Sequence, residues 1–283
     1  MLLGAILALS VLIPSLGCWL CGCYSTTDWI WGLPLGIVCT FVALVVLAFL
    51  FLWICCKLVR LDKPQEKDSR FYRVLTGTYI RAILQIFGIR ITGTGHEKIP
   101  KEGRFVLVCN HNSNADPVLL LHAFRKSQLS FISKQENTTM FLVGKVMHKL
   151  MCQLINREND REALKTILKC IQLLKEDQVS MGIFPEGYIH PDHKLHRFRH
   201  GVLKVAQKAK VPIVVCTMKD THHVISDALH FKRPKVELNL LEVIPAEEVT
   251  ATNTVELGDR IFEMMAQDLG EDRVHREAEA ENT

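Results

Sequence analysis

Among the first 56 residues only Asp28 carries a charge. On either side of it lie two apolar blocks, residues 2–23 and 29–56. Each reaches the roughly 20 residues that a helix needs to cross a hydrocarbon core. The link between them, residues 24–28, is short and polar, so residues 1–56 are predicted to form a two-helix membrane hairpin. The first block has one internal proline, Pro14, and lacks the positively charged start that a secretory signal needs. The same lack argues against a lipoprotein signal ending at Cys18. Lys57, Arg60, Lys63 and Lys67 crowd the exit of the second block, while the link has no positive residue. The positive-inside rule therefore puts residues 57–283 at the cytoplasmic face of the cell membrane. Trp29, Trp31 and Trp53 fall near the block ends, where interfacial aromatics belong. A hairpin that only dips into one leaflet leaves the remainder at the same face.

All 34 Lys and Arg, and every acidic residue except Asp28, lie beyond the hairpin, which gives residues 57–283 a net charge of +5. That excess suits a phosphate-bearing ligand or an anionic membrane surface, and is too small to argue for nucleic acid. Of the ten cysteines, six (18, 21, 23, 39, 55, 56) lie in or beside the apolar blocks. The other four (109, 152, 170, 216) are isolated within apolar runs, which is poor material for a disulfide framework.

Residues 70–89 have the apolar spacing of an amphipathic helix that could lie on the bilayer, and residues 57–90 are predicted to be a juxtamembrane linker. Residues 91–100 read as a short extended segment. Strand patterns at 105–109, 129–133, 180–184, 212–217 and 236–244 then alternate with helix patterns at 117–124, 139–151, 158–175, 201–210 and 254–268. That alternation predicts one α/β domain over residues 91–270, a mainly parallel sheet flanked by helices. Residues 271–283 are charged and apolar-poor, and are expected to fray as a tail.

Four segments carry candidate chemistry. In Cys109-Asn110-His111-Asn112-Ser113-Asn114-Ala115-Asp116-Pro117 a histidine and an aspartate stand five residues apart, just after a buried strand. Asp116-Pro117 reads as a helix start, with Asp116 as N-cap and proline at the first helical position. His111 then sits in a strand-to-helix loop. If that loop folds back, the Asp116 carboxylate holds one ring nitrogen and leaves the other as a base. A purely structural pair, with Asp116 only capping, is the competing reading of this segment alone. In Ile183-Phe184-Pro185-Glu186-Gly187 a buried strand ends in a tight turn. The turn is expected to display Glu186 at the same sheet edge as His111, where the alternative is a solvated turn glutamate. Leu154-Ile155-Asn156-Arg157-Glu158 places Arg157 before a helix, where it could grip a phosphate, unless it is an ordinary surface arginine. Val211-Pro212-Ile213-Val214 reads as a wall of the site.

Together, in this order and at these spacings, the four segments resemble the glycerolipid acyltransferase family that makes phosphatidic acid from 1-acylglycerol-3-phosphate. The resemblance implies that an acyl thioester, on coenzyme A or acyl-carrier protein as co-substrate, meets the free hydroxyl of a lysophospholipid at the membrane. His111 would remove the hydroxyl proton, and Asp116 would fix the imidazole. No other cofactor is expected, and no enzyme nucleophile is needed, because the acyl group arrives activated; no Gly-x-Ser-x-Gly elbow is present. By the same resemblance Arg157 holds the acceptor phosphate and the Glu186–Gly187 turn orders its glycerol end, with Lys134 as a further phosphate candidate. The sequence departs from the family where Thr-Arg-Ser is usual: Tyr188-Ile189-His190 stands there. The phosphate contact of the absent arginine must come from elsewhere or be missing, with Lys194, His190, Arg197 and Arg199 as nearby candidates. Phe198-Arg199-His200-Gly201 resembles the family's basic segment and favours Arg199. The departure leaves other acceptors open, such as glycerol-3-phosphate or another lysophospholipid, and a thioester hydrolase remains a further alternative.

His190, Asp192, His193, His196 and His200 crowd one segment. On a helix His193, His196 and His200 would share a face, but Pro191 and Gly201 make a helix poor. No metal is predicted, and an exposed loop of partly cationic histidines near phosphates is the simpler account. His222-His223 is read the same way.

Overall fold

The structure is a computed structural model that describes residues 2–156 and 159–276. Two long helices, α1 (Leu2–Leu20) and α2 (Trp29–Lys57), pack side by side as a hairpin, and both are long and apolar enough to cross a membrane. Pro14 of α1 lies against Gly36 of α2, where a Cβ on Gly36 would meet the proline ring at 3.1 Å. Helix α3 (Arg70–Ile86) then runs back along α2. Tyr72 Oη donates to the Cys55 carbonyl at 2.8 Å and Tyr79 Oη donates to the Ala48 carbonyl. Ser69 caps α3 by accepting from the Tyr72 N–H. The helix is apolar on two sides. Ile80 and Leu84 enter the domain core, while Phe71, Val74, Ile83 and Ile86 stay exposed.

The domain alternates strands and helices as follows: β1 (Arg90–Thr92), β2 (Val106–Cys109), α4 (Asp116–Ala123), β3 (Leu129–Lys134), α5 (Phe141–Lys149), β4 (Gln153–Ile155), α6 (Asp160–Lys175), β5 (Ser180–Ile183), α7 (Lys204–Ala209), β6 (Ile213–Lys219), α8 (Val224–Leu229), β7 (Lys235–Ile244), α9 (Ala246–Ala251) and α10 (Thr254–Leu269). The seven strands form one sheet in the order β1-β7-β6-β2-β5-β3-β4, parallel throughout except for the antiparallel β6–β7 pair. The mainly parallel α/β architecture is thus as the alternation implies. β1 and β4 are three-residue edge strands, too short for a periodic pattern to reveal. α8 and α9 also escape sequence reading, since six residues make fewer than two turns.

The sheet separates two cores. On one face Val106, Val108, Met181, Ile183 and Val215 pack against α6, α7 and α10. On the other Phe105, Leu107, Cys109, Val214 and Cys216 pack against α3 and α4. Successive residues of β2 point to opposite faces, and all are at most 1% exposed, so β2 reads as a continuous apolar run. Each large side chain buried this way contributes about 1.5–3 kcal/mol.

β2 lies at the middle of the sheet. From its end the chain crosses to β3 on one side, and from the end of β5 it crosses to β6 on the other. The two connections cross on opposite faces of the sheet, and both leave it at the carboxyl edge of β2 and β5, the edge where ligands usually sit in such sheets. Residues 271–276 depart from the expected fraying. Glu271–Arg273 is a 3-10 turn, and Val274 pairs with Leu195, with the Leu195 N–H donating to the Arg273 carbonyl at 2.8 Å. All ten cysteines are free thiols.

Candidate active site

β2 ends at Cys109, and the next residue locks the strand end to its neighbour. The buried Asn110 amide donates to the Met218 carbonyl at 2.9 Å and accepts from the Met218 N–H at 2.7 Å. His111 therefore leaves the sheet from a fixed point. The loop folds back as the five-residue spacing allows. His111 Nδ1 lies 3.0 Å from Asp116 Oδ2, and the same oxygen accepts from the Asn112 and Ser113 N–H groups, both at 2.8 Å. Asp116 is fully buried and the His111 ring is 17% exposed. The carboxylate thus holds Nδ1 from inside and leaves Nε2 as the ring's other nitrogen for a reacting group.

Asp116 does not cap its helix. It is the first residue of α4, Ala115 occupies the cap position, and Pro117 follows inside. The carboxylate turns back toward residues 111–113 because three donors converge there, which outweighs the single N–H that a cap would satisfy.

Glu186 is also placed differently from expectation. It is 2% exposed, not displayed at the edge. Its Oε1 accepts from the His111 N–H at 2.8 Å and its Oε2 accepts from the His196 N–H at 3.0 Å. Both oxygens are thereby committed to protein backbone, and the side chain holds the His111 loop rather than facing a ligand. Burial pushes its carboxyl up to about 8, against the opposing pull of those two N–H donors. Gly187 carries the turn at φ +93°, and its N–H donates to the Phe184 carbonyl at 3.0 Å. A Cβ there would be strained and would press on the Arg199 side chain at 3.2 Å.

Two contributors escape sequence reading. Phe184 stacks on the His111 ring, with centroids 4.0 Å apart, and itself stacks on Phe131 at 5.8 Å. Phe131 in turn lies across Gly182, where a Cβ would come within 2.4 Å of the ring. A phenylalanine closing a strand looks like ordinary core, and only its cross-strand neighbours reveal the stack. Asn110 is the other: its adjacency to His111 is the one signal available.

Lys134 ends β3 with its side chain exposed, at the same sheet edge as His111. Arg199 is exposed too, and its N–H donates to the Pro185 carbonyl at 2.9 Å, which seats it against the Glu186–Gly187 turn. Arg157 lies outside the described residues. Just after it, Asn159 caps α6 by accepting from the Arg161 and Glu162 N–H groups. Cys109 sits directly before the site, but burial holds its thiol well above the usual range, so it is no nucleophile. No helix runs through His193, His196 and His200, in line with the poor helical pattern of this segment. Residues 188–199 run as an irregular loop, with His193 at φ +54° and His200 beginning a 3-10 turn.

Residues 90–219 match the family model described as Acyltransferase. The chain is 32% identical over 159 residues to a Mycoplasma pneumoniae protein named "Probable 1-acyl-sn-glycerol-3-phosphate acyltransferase", covering 55% of this chain and 57% of that protein. It is 24% identical over 184 residues to the human 1-acyl-sn-glycerol-3-phosphate acyltransferase alpha, covering 65% of each. The chain spans somewhat more than half the length of several of these curated relatives. Its fold is also that of the crystal structure of the 1-acyl-sn-glycerophosphate acyltransferase PlsC from Thermotoga maritima. The two superpose with a TM-score of 0.60 at 24% identity, over 84% of this chain and 94% of that one.

Proposed function

We propose, from the match of residues 90–219 to the Acyltransferase family model, that this chain is a membrane-bound 1-acylglycerol-3-phosphate O-acyltransferase. It moves a fatty acyl group from an acyl thioester, on coenzyme A or acyl-carrier protein, to the free hydroxyl of 1-acylglycerol-3-phosphate, giving phosphatidic acid. The observation that carries this reading is the His111 Nδ1 to Asp116 Oδ2 contact of 3.0 Å, at a ring that keeps 17% of its surface open.

In this reading His111 Nε2 takes the acceptor's hydroxyl proton as the oxygen attacks the thioester carbonyl. The C–O bond forms, the C–S bond breaks, and the thiolate leaves with a proton returned by the imidazolium. Asp116 keeps the proton on Nδ1 and stabilises the cationic ring. Glu186 and Phe184 hold the imidazole in place from its backbone and its face. Arg199, Lys134 and, by family resemblance, Arg157 provide cations for the acceptor phosphate. Exposed Met140, Phe141 and Val143 follow Lys134, apolar surface suited to lipid chains. The hairpin anchors the domain at the cytoplasmic face, in line with the positive residues at the exit of α2.

The replacement of the family's Thr-Arg-Ser by Tyr188-Ile189-His190 favours a second reading, the same chemistry on another acceptor. A panel of acceptors supplied with one labelled acyl thioester separates the two. Product restricted to 1-acylglycerol-3-phosphate supports the first reading. Turnover only on non-phosphorylated acceptors removes Arg199, Lys134 and Arg157 from their roles, and free fatty acid without a new ester replaces acyl transfer by hydrolysis.

A further inference from the structure

The loop that follows Gly187 assembles a group of donors that acyl transfer does not use. His190, Asp192 and His196 each bring one ligand atom, and these atoms all lie within 4.8 Å of one another. His196 Nε2 is 2.9 Å from Asp192 Oδ1 and 3.0 Å from Oδ2. The His190 and His196 rings stack with centroids 3.4 Å apart, and His275 stacks on the far side of His196 at 4.3 Å, its Nδ1 3.7 Å from Asp192 Oδ2. Three imidazoles and one carboxylate thus meet, drawn from two separate parts of the chain.

The frame around them is fixed. The His196 N–H is held by Glu186, and the buried Leu195 beside it pairs with Val274, which brings His275 to the loop. The His275 N–H donates to the Leu195 carbonyl at 2.9 Å. The Lys194 N–H donates to Asp192 Oδ1 at 3.2 Å, which orients the carboxylate. Such support is what a metal ligand set needs to hold its geometry. A helix is not required, so the poor helical pattern of this segment is no objection: a tight loop gathers the donors instead.

From this geometry we propose that His190, Asp192 and His196 bind one divalent transition-metal ion of the zinc type, with His275 as a fourth donor within reach. The donor set decides the class. Two or three imidazoles with one carboxylate match Zn²⁺, Co²⁺, Ni²⁺ or Cu²⁺, whereas Mg²⁺ and Ca²⁺ take oxygen ligands. Metal–ligand bonds of about 2.0–2.2 Å place two donors of one ion at most about 4.4 Å apart, and because an imidazole binds in its own plane, an ion requires the stacked His190 and His196 rings to turn out of parallel. The imidazoles must be neutral to bind. The site is separate from His111 but shares a strut with it. Glu186 holds the backbone of His196 with one oxygen and that of His111 with the other, so an ion here stiffens the loop that braces the imidazole.

The test uses the full chain, untagged, in detergent micelles, stripped with chelator and titrated with Co²⁺ and then Zn²⁺. One equivalent of Co²⁺ is expected to bind with a visible ligand-field spectrum, to be displaced by Zn²⁺, and to raise the melting temperature. His190→Ala and Asp192→Asn are each expected to weaken binding by about 10–100-fold, while His223→Ala, outside the set, leaves it unchanged. Asp192 is exposed, so Asp192→Asn keeps the test decisive should His190→Ala fail to fold. Absence of stoichiometric binding, binding that survives both variants, or loss in His223→Ala overturns the proposal. The titration reads metal alone, so its outcome is independent of any acyl-transfer assay.

Discussion

The connections that leave the carboxyl edge of the sheet at β2 and at β5 are built in opposite ways. After β2, residues 110–116 are tied together by hydrogen bonds. Asn110 is locked to Met218, Asp116 Oδ2 accepts three contacts, and Glu186 reaches in from the neighbouring connection. After β5, residues 188–200 run irregularly, with Tyr188, Arg197 and Arg199 exposed. The first connection fixes one ring to within a hydrogen bond, which proton transfer demands. The second exposes Arg199 beside the turn, a long cationic side chain suited to a charged headgroup, which needs charge more than position. On the proposed reading the hydrogen-bonded backbone serves the chemistry and exposed charge serves recognition.

The sharpest way to break this contrast is to disturb the rigid side. Asp116→Asn should lower kcat by up to about 10⁴-fold, because an amide can leave the ring in the wrong tautomer, measured as phosphatidic acid formed per enzyme. A loss below tenfold would mean that the network is structural only. Glu186→Gln comes next. An amide nitrogen cannot accept, so one of the two N–H groups is orphaned at a cost of about 1–3 kcal/mol, read by chemical or thermal unfolding. Activity should fall with it, since one of those groups belongs to His111.

On the adaptable side the effects should be smaller and appear elsewhere. Arg199→Ala and Lys134→Ala should each raise the acceptor KM by about tenfold, equivalent to about 1.4 kcal/mol, with kcat nearly unchanged. A fall in kcat at constant KM would move these residues from recognition to chemistry. A further effect is on the pH dependence of stability. Glu186 protonates near its ordinary 4.5 when unfolded and at about 8 when folded. The folded chain therefore binds more protons across that window, so stability falls as pH rises from about 5 to about 8. The melting temperature of Glu186→Gln should decline less over the same range. Parallel curves would show that Glu186 is ionised in the folded chain throughout.

The same contrast marks what the sequence reveals. The hairpin, the central strands and the His111–Asp116 contact are local or periodic features. A run of buried residues, a five-residue spacing and a Pro-Glu-Gly turn carry their own geometry. What stays hidden depends on contacts between distant segments. Glu186 reads as a displayed turn residue because nothing nearby in the chain announces that the His111 and His196 N–H groups converge on it. Phe184 reads as core because its partner ring is 73 positions away. The histidines after Gly187 read as an exposed loop, and nothing local announces that Leu195 pairing with Val274 gathers His196 and His275. Three-residue strands and six-residue helices are likewise set by the sheet edge and core they dock against rather than by a pattern of their own.

One measurement bears most directly on the role of the imidazole: steady-state turnover of the full chain with a labelled acyl thioester and 1-acylglycerol-3-phosphate, compared with His111→Ala of unchanged circular dichroism. A general base at His111 requires kcat to drop by about 10²–10⁴-fold with little change in either KM. A folded His111→Ala protein that forms phosphatidic acid within a few-fold of the native rate would contradict it.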